Sequence, residues 1–215
     1  LEFRRVLFRS DGKMLAKVVH PTPLDSSEHI VDDIAKSILE VRAQMGPDGL
    51  VGTGVAVPGF IDMNEGVVIG WSKLPGMNRF PMKAEVERHI RSTVILENDA
   101  NAAAWGEFRF GAGVGLAELV AVTVGTGLGG GLILDGRLRR GVHGVAAEIG
   151  HMVVKPEGRP CTCGRSGCWE QYCSGRALER VTRVALGRHL DGPEVTAMAL
   201  AGNEVARQEI GRAHV

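Results

Sequence analysis

Leu119-Val-Ala-Val-Thr-Val124 runs directly into Gly125-Thr-Gly127-Leu-Gly-Gly130-Gly131, and Leu132-Ile-Leu134 with the turn pair Asp135-Gly136 follows. The first six residues form a short apolar, β-branched run of the kind that makes a buried strand. Gly125-x-Gly127-x-x-Gly130 satisfies the dinucleotide-binding fingerprint as a string. That fingerprint needs a helix directly after its glycines, so that the helix amino end can hold a pyrophosphate. Here Leu132–Leu134, Asp135-Gly136 and Arg137-Leu138-Arg139 predict a further hairpin, which argues against a Rossmann site. No GxxxxGK[ST] string occurs, so the loop is not a P-loop. What remains is a strand, a Gly-Thr-Gly turn and a strand. Its exposed amides and the Thr126 hydroxyl can bind phosphate oxygens, although a tight hairpin without a ligand has the same pattern.

Upstream, the pattern alternates strands with helices. Asp11-Gly12 and Met14–Val19 read as the end of a hairpin turn and its second strand, with no partner strand evident. Apolar residues at 30, 34, 38, 41 and 45 follow the capping-type Asp25-Ser26-Ser27 and precede Gly46-Pro47, which predicts an amphipathic helix from His29 to Met45. Leu50–Val57 is a valine-rich strand ended by Pro58-Gly59. Pro81 opens a helix through Ile90, and Thr93–Leu96 is a short buried strand ending in Glu97-Asn98-Asp99. Polar residues at the carboxyl end of a buried strand are where α/β proteins place ligands. Ala100–Phe108, Gln171–Arg188 and Val195–Arg207 read as helices, and neither an internal repeat nor a low-complexity linker is visible.

Charge and composition exclude several classes. Twenty-five basic residues balance 25 acidic ones, so no overall field recruits nucleic acid or an anionic membrane. No apolar run of about 18 residues exists to span a bilayer. Thirty of the 215 residues are glycine, about twice the usual share of roughly 7%, and most of the excess lies between Gly106 and Gly175. Close approach of backbone to a ligand explains such an excess.

A second cluster points to a metal. His151, Cys161, Cys163 and Cys168 fall within eighteen residues, the ligand number of a closed structural zinc site. Thiolates in a chain with no evident secretory signal bind metal more often than they form disulfides, and glycines at 164 and 167 let the backbone fold tightly around an ion. Cys173 is left over as an ordinary core residue.

Gly125-Thr-Gly-Leu-Gly-Gly-Gly-Leu-Ile-Leu-Asp-Gly136, then Gly141, Gly144 and Ala147-Glu-Ile-Gly-His151, resembles the signature of the ROK family of bacterial sugar kinases and related transcriptional repressors. Cys161-x-Cys163-Gly-x-x-Gly-Cys168-x-Glu170 resembles that family's zinc motif, and Glu97-Asn-Asp-Ala-Asn-Ala102 its catalytic segment. The three motifs stand in the right order and the resemblance covers residues 11–208. Within the family the chain looks most like the actinobacterial ATP-dependent glucokinases.

The resemblance implies an α/β fold of the actin-like ATPase, RNase H-like two-lobe class, incomplete at both ends. Residues 11–98 would come from the smaller lobe and 99–208 from the larger. It implies Asp99 as the base facing a sugar 6-hydroxyl, and Asn98, Glu148, His151 and Glu170 as partners of the other hydroxyls, with Pro58-Gly59 nearby. Gly125, Thr126 and Gly127 would form one of two phosphate loops, and His151, Cys161, Cys163 and Cys168 the zinc shell. Implied with these are ATP, Mg2+ and structural Zn2+, glucose or a related hexose as substrate, a cytoplasmic location, no membrane or nucleic-acid partner for this fragment, and a homodimer at full length. Physically, an Asp at a strand end can be partly shielded from water yet reach a bound hydroxyl, which is what phosphoryl transfer asks of its base.

Two alternatives stay open: a sugar-responsive repressor with a helix-turn-helix before the first lobe, and a kinase for another hexose such as N-acetylmannosamine or N-acetylglucosamine. Leu1–Ser10 (LEFRRVLFRS) and Glu209–Val215 (EIGRAHV) resemble translated sequencing-adaptor oligonucleotides and are read as non-native tails. On that reading the other phosphate loop, an Asp-x-Gly-Gly-Thr hairpin, belongs upstream of Asp11, and the fragment alone is inactive.

Overall fold

The computed structural model describes residues 2–8, 11–23, 25–44, 52–70 and 76–213. In chain order its elements are β1 (Glu2–Phe8), β2 (Met14–Pro21), α1 (Ser27–Arg42), β3 (Thr53–Val57), β4 (Phe60–Asp62), β5 (Val67–Gly70), α2 (Met82–Ile90), β6 (Val94–Asn98) and α3 (Asp99–Phe110). Then come β7 (Leu119–Val124), β8 (Leu128–Leu134), β9 (Arg137–Leu138), a 3-10 turn at Ile149–His151, α4 (Glu170–Cys173), α5 (Gly175–Leu186), α6 (Gly192–Leu200) and α7 (Glu204–Ala213). The chain divides into two compact units, residues 1–119 with 132–146, and residues 120–131 with 147–215.

In the first unit, helices cover short strands. Ser26 caps α1, its hydroxyl accepting from the His29 amide, and Ile30, Val31 and Ile34 carry the apolar stripe of that helix inward. They meet Val86 and Ile90 of α2 and Val55, Val57, Val94 and Leu96 of the parallel pair β3–β6. Ile30, Val57 and Val86 are fully buried, each contributing about 1.5–3 kcal/mol of hydrophobic stabilisation. The β3–β6 register runs from Thr53 opposite Val94 to Val57 opposite Asn98, which brings the carboxyl ends of both strands level. Gly59 and Asn98 therefore start from the same edge.

The partner that β2 lacks in the sequence pattern is Glu2–Phe8. β1 pairs antiparallel with β2, from Glu2 opposite Pro21 to Phe8 opposite Met14, so most of the stretch read as a tail is hydrogen-bonded strand. At the other end Glu209 and Ile210 lie in α7, with Glu209 buried.

The second unit holds β7 and the start of β8, the 3-10 turn, a loop carrying the cysteines, and four helices. Two helices expected as continuous are each broken in two. Gln171–Arg188 divides at Ser174, whose extended backbone and hydroxyl, accepting from the Ala177 amide, start α5 afresh. Val195–Arg207 divides at Gly202, at φ 93°, after which Asn203 caps α7 by accepting from the Ala206 amide. Apolar periodicity runs through the second break because α6 and α7 pack on one cluster, Leu190, Val195, Ala199 and Ala206. Smaller differences lie at element ends: α1 ends at Arg42, β8 begins at Leu128 and takes in the glycines, and β3 begins at Thr53. The expected ends at Met45 and Leu50 lie outside the described residues. No helix among the described residues is long and apolar enough to cross a membrane.

Candidate functional site

Asn98 closes β6 and caps α3. Its Oδ1 accepts from the Asn101 amide at 3.0 Å, which satisfies one of the free amides at the helix start. Its Nδ2 donates to the Gly59 carbonyl at 3.2 Å, joining the ends of the two parallel strands. Gly59 has a φ of 99°, a conformation open to glycine, and this turns the chain just after β3. Asp99, the first residue of α3, accepts from the Ala100 amide at 2.9 Å and is otherwise exposed. The sequence argument expects partial shielding of Asp99. It is exposed at the start of α3 instead.

Beside Asn98 lies a shallow cleft lined by Ile61, Met63, Glu97, Asn98, Asn101, Arg140 and Gly144. Arg140 Nε and Nη2 both donate to Glu97 Oε2 at 2.7 Å. Glu97 Oε1 accepts from the Asn98 amide at 3.0 Å and from Asn101 Nδ2 at 3.3 Å. Asn101 is 3% exposed, and its buried Oδ1 has no hydrogen-bond partner among the described residues. Glu97, Asn101 and Arg140 receive no role from sequence reasoning. Glu97 and Asn101 are within the quoted catalytic segment, but Arg140 stands 43 residues from its partner, where no local pattern links them.

In the second unit the loop from His151 to Cys168 folds by its own backbone. The Val154 and Lys155 amides both donate to the Gly167 carbonyl, at 2.9 and 3.2 Å, the Cys161 amide donates to Arg165 at 2.8 Å, and that of Gly164 to Cys161 at 3.0 Å. Gly164 and Gly167 have φ of 87° and 81°, and a Cβ on Gly167 would overlap the Lys155 carbonyl.

The folded loop gathers one ligand atom each from His151, Cys161, Cys163 and Cys168 within 4.8 Å of one another. Cys161 Sγ lies 3.5 Å from His151 Nδ1, and Cys163 Sγ 3.6 Å from Cys168 Sγ. A tetrahedral zinc ion with sulfur at about 2.3 Å and nitrogen at about 2.0–2.1 Å has S···S edges of about 3.8 Å and S···N edges of about 3.6 Å. The donor set fits such an ion in number, softness and spacing. Burial pushes the Cys168 thiol up, to about 12, with the neighbouring Cys163 and Cys161 sulfurs adding to it. Burial also acts on Cys163, but the Arg165 amide and the adjacent thiols, donating to its sulfur, outweigh it and bring it down to about 7. Cys173 stands outside the group and accepts from Trp169 Nε1 at 3.0 Å.

Glu170 follows the cysteines directly. Its Oε1 is 3.6 Å from Cys161 Sγ, and its Oε2 accepts from the Leu128 amide at 3.4 Å, reaching the end of the glycine turn. Gly125, Thr126 and Gly127 are exposed, and the turn is closed by the Gly125 amide donating to Gly127 at 3.0 Å. The Gly175 amide donates to the Gly125 carbonyl at 2.7 Å, tying the turn to the start of α5. Glu148 is half-buried ahead of the 3-10 turn, and its carbonyl accepts from the His151 amide at 3.0 Å. The second unit thus collects Glu148, His151, Glu170, the cysteines and the glycine turn, and the first collects Gly59, Asn98 and Asp99.

The model of the ROK family matches residues 2–214. A glucokinase of Streptomyces coelicolor is 43% identical over 178 residues, covering 80% of this chain and 53% of that protein. A xylose repressor of Bacillus spizizenii is 37% identical, also over 178 residues, covering 80% of this chain and 45% of the repressor. The chain thus spans about half the length of the curated relatives it matches. Among solved structures, a ROK family glucokinase from Streptomyces griseus in complex with glucose and AMPPNP superposes with a TM-score of 0.86 at 36% identity, covering 99% of this chain and 73% of that one. Its fold is the actin-like, RNase H-like α/β class, and the chain belongs to the ROK family.

Proposed function

We propose that the protein is an ATP-dependent glucokinase, transferring the γ-phosphoryl of ATP to the 6-hydroxyl of glucose. The observation that carries this reading is Asp99, an exposed carboxylate on the first turn of α3, beside an Asn98 locked to Gly59 and Asn101. A sensor of sugar needs hydroxyl partners but no base. The likeness to Streptomyces glucokinases supports the same choice.

On this reading Asp99 takes the proton of the 6-hydroxyl as the O6–P bond forms and the bond from the γ-phosphorus to the bridging oxygen of ADP breaks. Asn98, Glu148, His151 and Glu170 hold the other hydroxyls, with Gly59 nearby, and Gly125, Thr126 and Gly127 offer amides and a hydroxyl to the phosphates. Mg2+ arriving with the nucleotide would neutralise phosphate charge. Zn2+ held by His151, Cys161, Cys163 and Cys168 would fix the loop between His151 and Glu170, leaving His151 Nε2 free for a sugar hydroxyl. Residues 11–98 would belong to the smaller lobe of a cytoplasmic, homodimeric enzyme and 99–208 to the larger.

Glucose-dependent ADP formation by the full-length protein, lost in Asp99→Asn, is the test. A protein that binds sugar and operator DNA without turnover would favour the second reading, a repressor, which the 37% identity to a xylose repressor supports. Competing N-acetylmannosamine and N-acetylglucosamine against glucose would decide the hexose.

A further inference from the structure

Arg140 lies in the loop that leaves β9, far in sequence from β6, yet its guanidinium grips Glu97 through two nitrogens at 2.7 Å. The Glu97 side chain is 13% exposed and uses both oxygens, one for Arg140 and one for the Asn98 amide and Asn101 Nδ2. A carboxylate so placed fixes the backbone at the β6–α3 junction, where Asn98 and Asp99 stand. The loop holding Arg140 is itself anchored. The Ala146 amide donates to the Arg140 carbonyl at 3.0 Å, and Gly144, at φ 70°, lies so close to the Ile61 carbonyl that a Cβ would approach it to 2.5 Å. A flexible side chain is therefore aimed from a fixed root, and Arg offers the forked geometry that Lys lacks.

We infer that Glu97 and Arg140 are positioning residues, an ion pair that holds the Asn98-Asp99 junction in place for the chemistry; this rests on Asp99 acting as the base. Neither touches the reacting atoms. Their effect falls on the geometry of Asp99 and Asn98, so it belongs to kcat more than to sugar KM.

The experiment is done on the full-length protein with Arg140→Met, Arg140→Lys, Glu97→Gln and the double variant Glu97→Gln/Arg140→Met. Two quantities are read: kinetics per folded enzyme, and amide hydrogen exchange over residues 97–101. Arg140→Met should lower kcat by about 10–100-fold with KM for glucose moved only a few-fold, because misplacing a reacting group by about 1 Å can cost up to about 100-fold. It should also speed exchange at Asn98 and Asn101. Arg140→Lys should recover part of both, and the double variant should be no worse than the more damaged single one. Unchanged exchange with kcat per folded enzyme within about twofold of wild type overturns the inference. So does a loss of kcat that only tracks the unfolded fraction. Faster exchange in a protein whose wild type never phosphorylates a hexose would retain the positioning and overturn the kinase reading instead.

Discussion

Cys161 Sγ and His151 Nδ1 lie 3.5 Å apart, the spacing of two corners of a tetrahedron around one ion, although ten residues separate them in sequence. The protein should therefore bind one equivalent of zinc, with X-ray absorption giving three sulfurs at about 2.3 Å and one nitrogen at about 2.0–2.1 Å. Cys168→Ser should abolish stoichiometric binding and Cys173→Ser should leave it intact. The assignment is wrong if Cys173→Ser removes the metal and His151→Ala does not.

Asp99→Asn keeps the side chain's size and its contact with the Ala100 amide but cannot take a proton. A general base typically contributes about 10²–10⁴-fold, so kcat should fall by that order while the sugar dissociation constant shifts only a few-fold. Steady-state kinetics beside calorimetric titration separates the two. Wild-type kcat in the variant would remove Asp99 from the mechanism.

Gly150 sits in the middle of the 3-10 turn, where a Cβ would overlap the Leu128 carbonyl. Gly150→Ala should destabilise the protein by about 1–3 kcal/mol, since the strand carrying the glycine turn or the turn carrying His151 must move. Zinc affinity should weaken with it. Urea unfolding and a competitive zinc titration measure both, and an unchanged midpoint would show that the contact relaxes without cost.

His29 and Asp25 pair at the start of α1, with His29 Nδ1 2.5 Å from Asp25 Oδ2. The hydrogen bond to Asp25 raises His29 above its ordinary 6.5, and the same bond lowers Asp25 below its ordinary 3.8. The His29 contribution to stability is complete below pH 6.5 and is lost as pH rises through its raised folded value. That of Asp25 is complete above pH 3.8 and is lost as pH falls through its lowered folded value. NMR titration of the His29 ring should show the upward shift, and Asp25→Asn should return it to the ordinary range. An unshifted His29 in the wild type would mean that the pair is open in solution.

The parts of the fold carried by local chemistry were legible residue by residue. The Ser26 cap, the 30/34 stripe of α1, the valines of β3 and the Asp135-Gly136 turn, whose φ values of 53° and 70° suit a two-residue hairpin, all follow from nearest neighbours along the chain. The break at Gly202 was not legible, because α6 and α7 on either side of it share one apolar cluster and a periodicity count cannot see a cap inside it, and the break at Ser174 rests on the local cap that Ser174 forms. β2 gained a partner only when Glu2–Phe8 paired with it.

The same division runs through the candidate site. Spacing alone picked out the four residues whose ligand atoms the fold gathers within 4.8 Å, since a loop of eighteen residues with glycines at 164 and 167 can bring its ends together at small entropic cost. The position of Asn98 and Asp99 at a strand end was likewise readable from the apolar run before them. Tertiary structure alone decided that Asn98 binds Gly59, that Glu97 is held by Arg140, that Glu170 reaches the Leu128 amide, and that Asp99 stands exposed. Those contacts join residues 39 to 43 positions apart or depend on where a helix begins, and only packing brings such groups within hydrogen-bond reach.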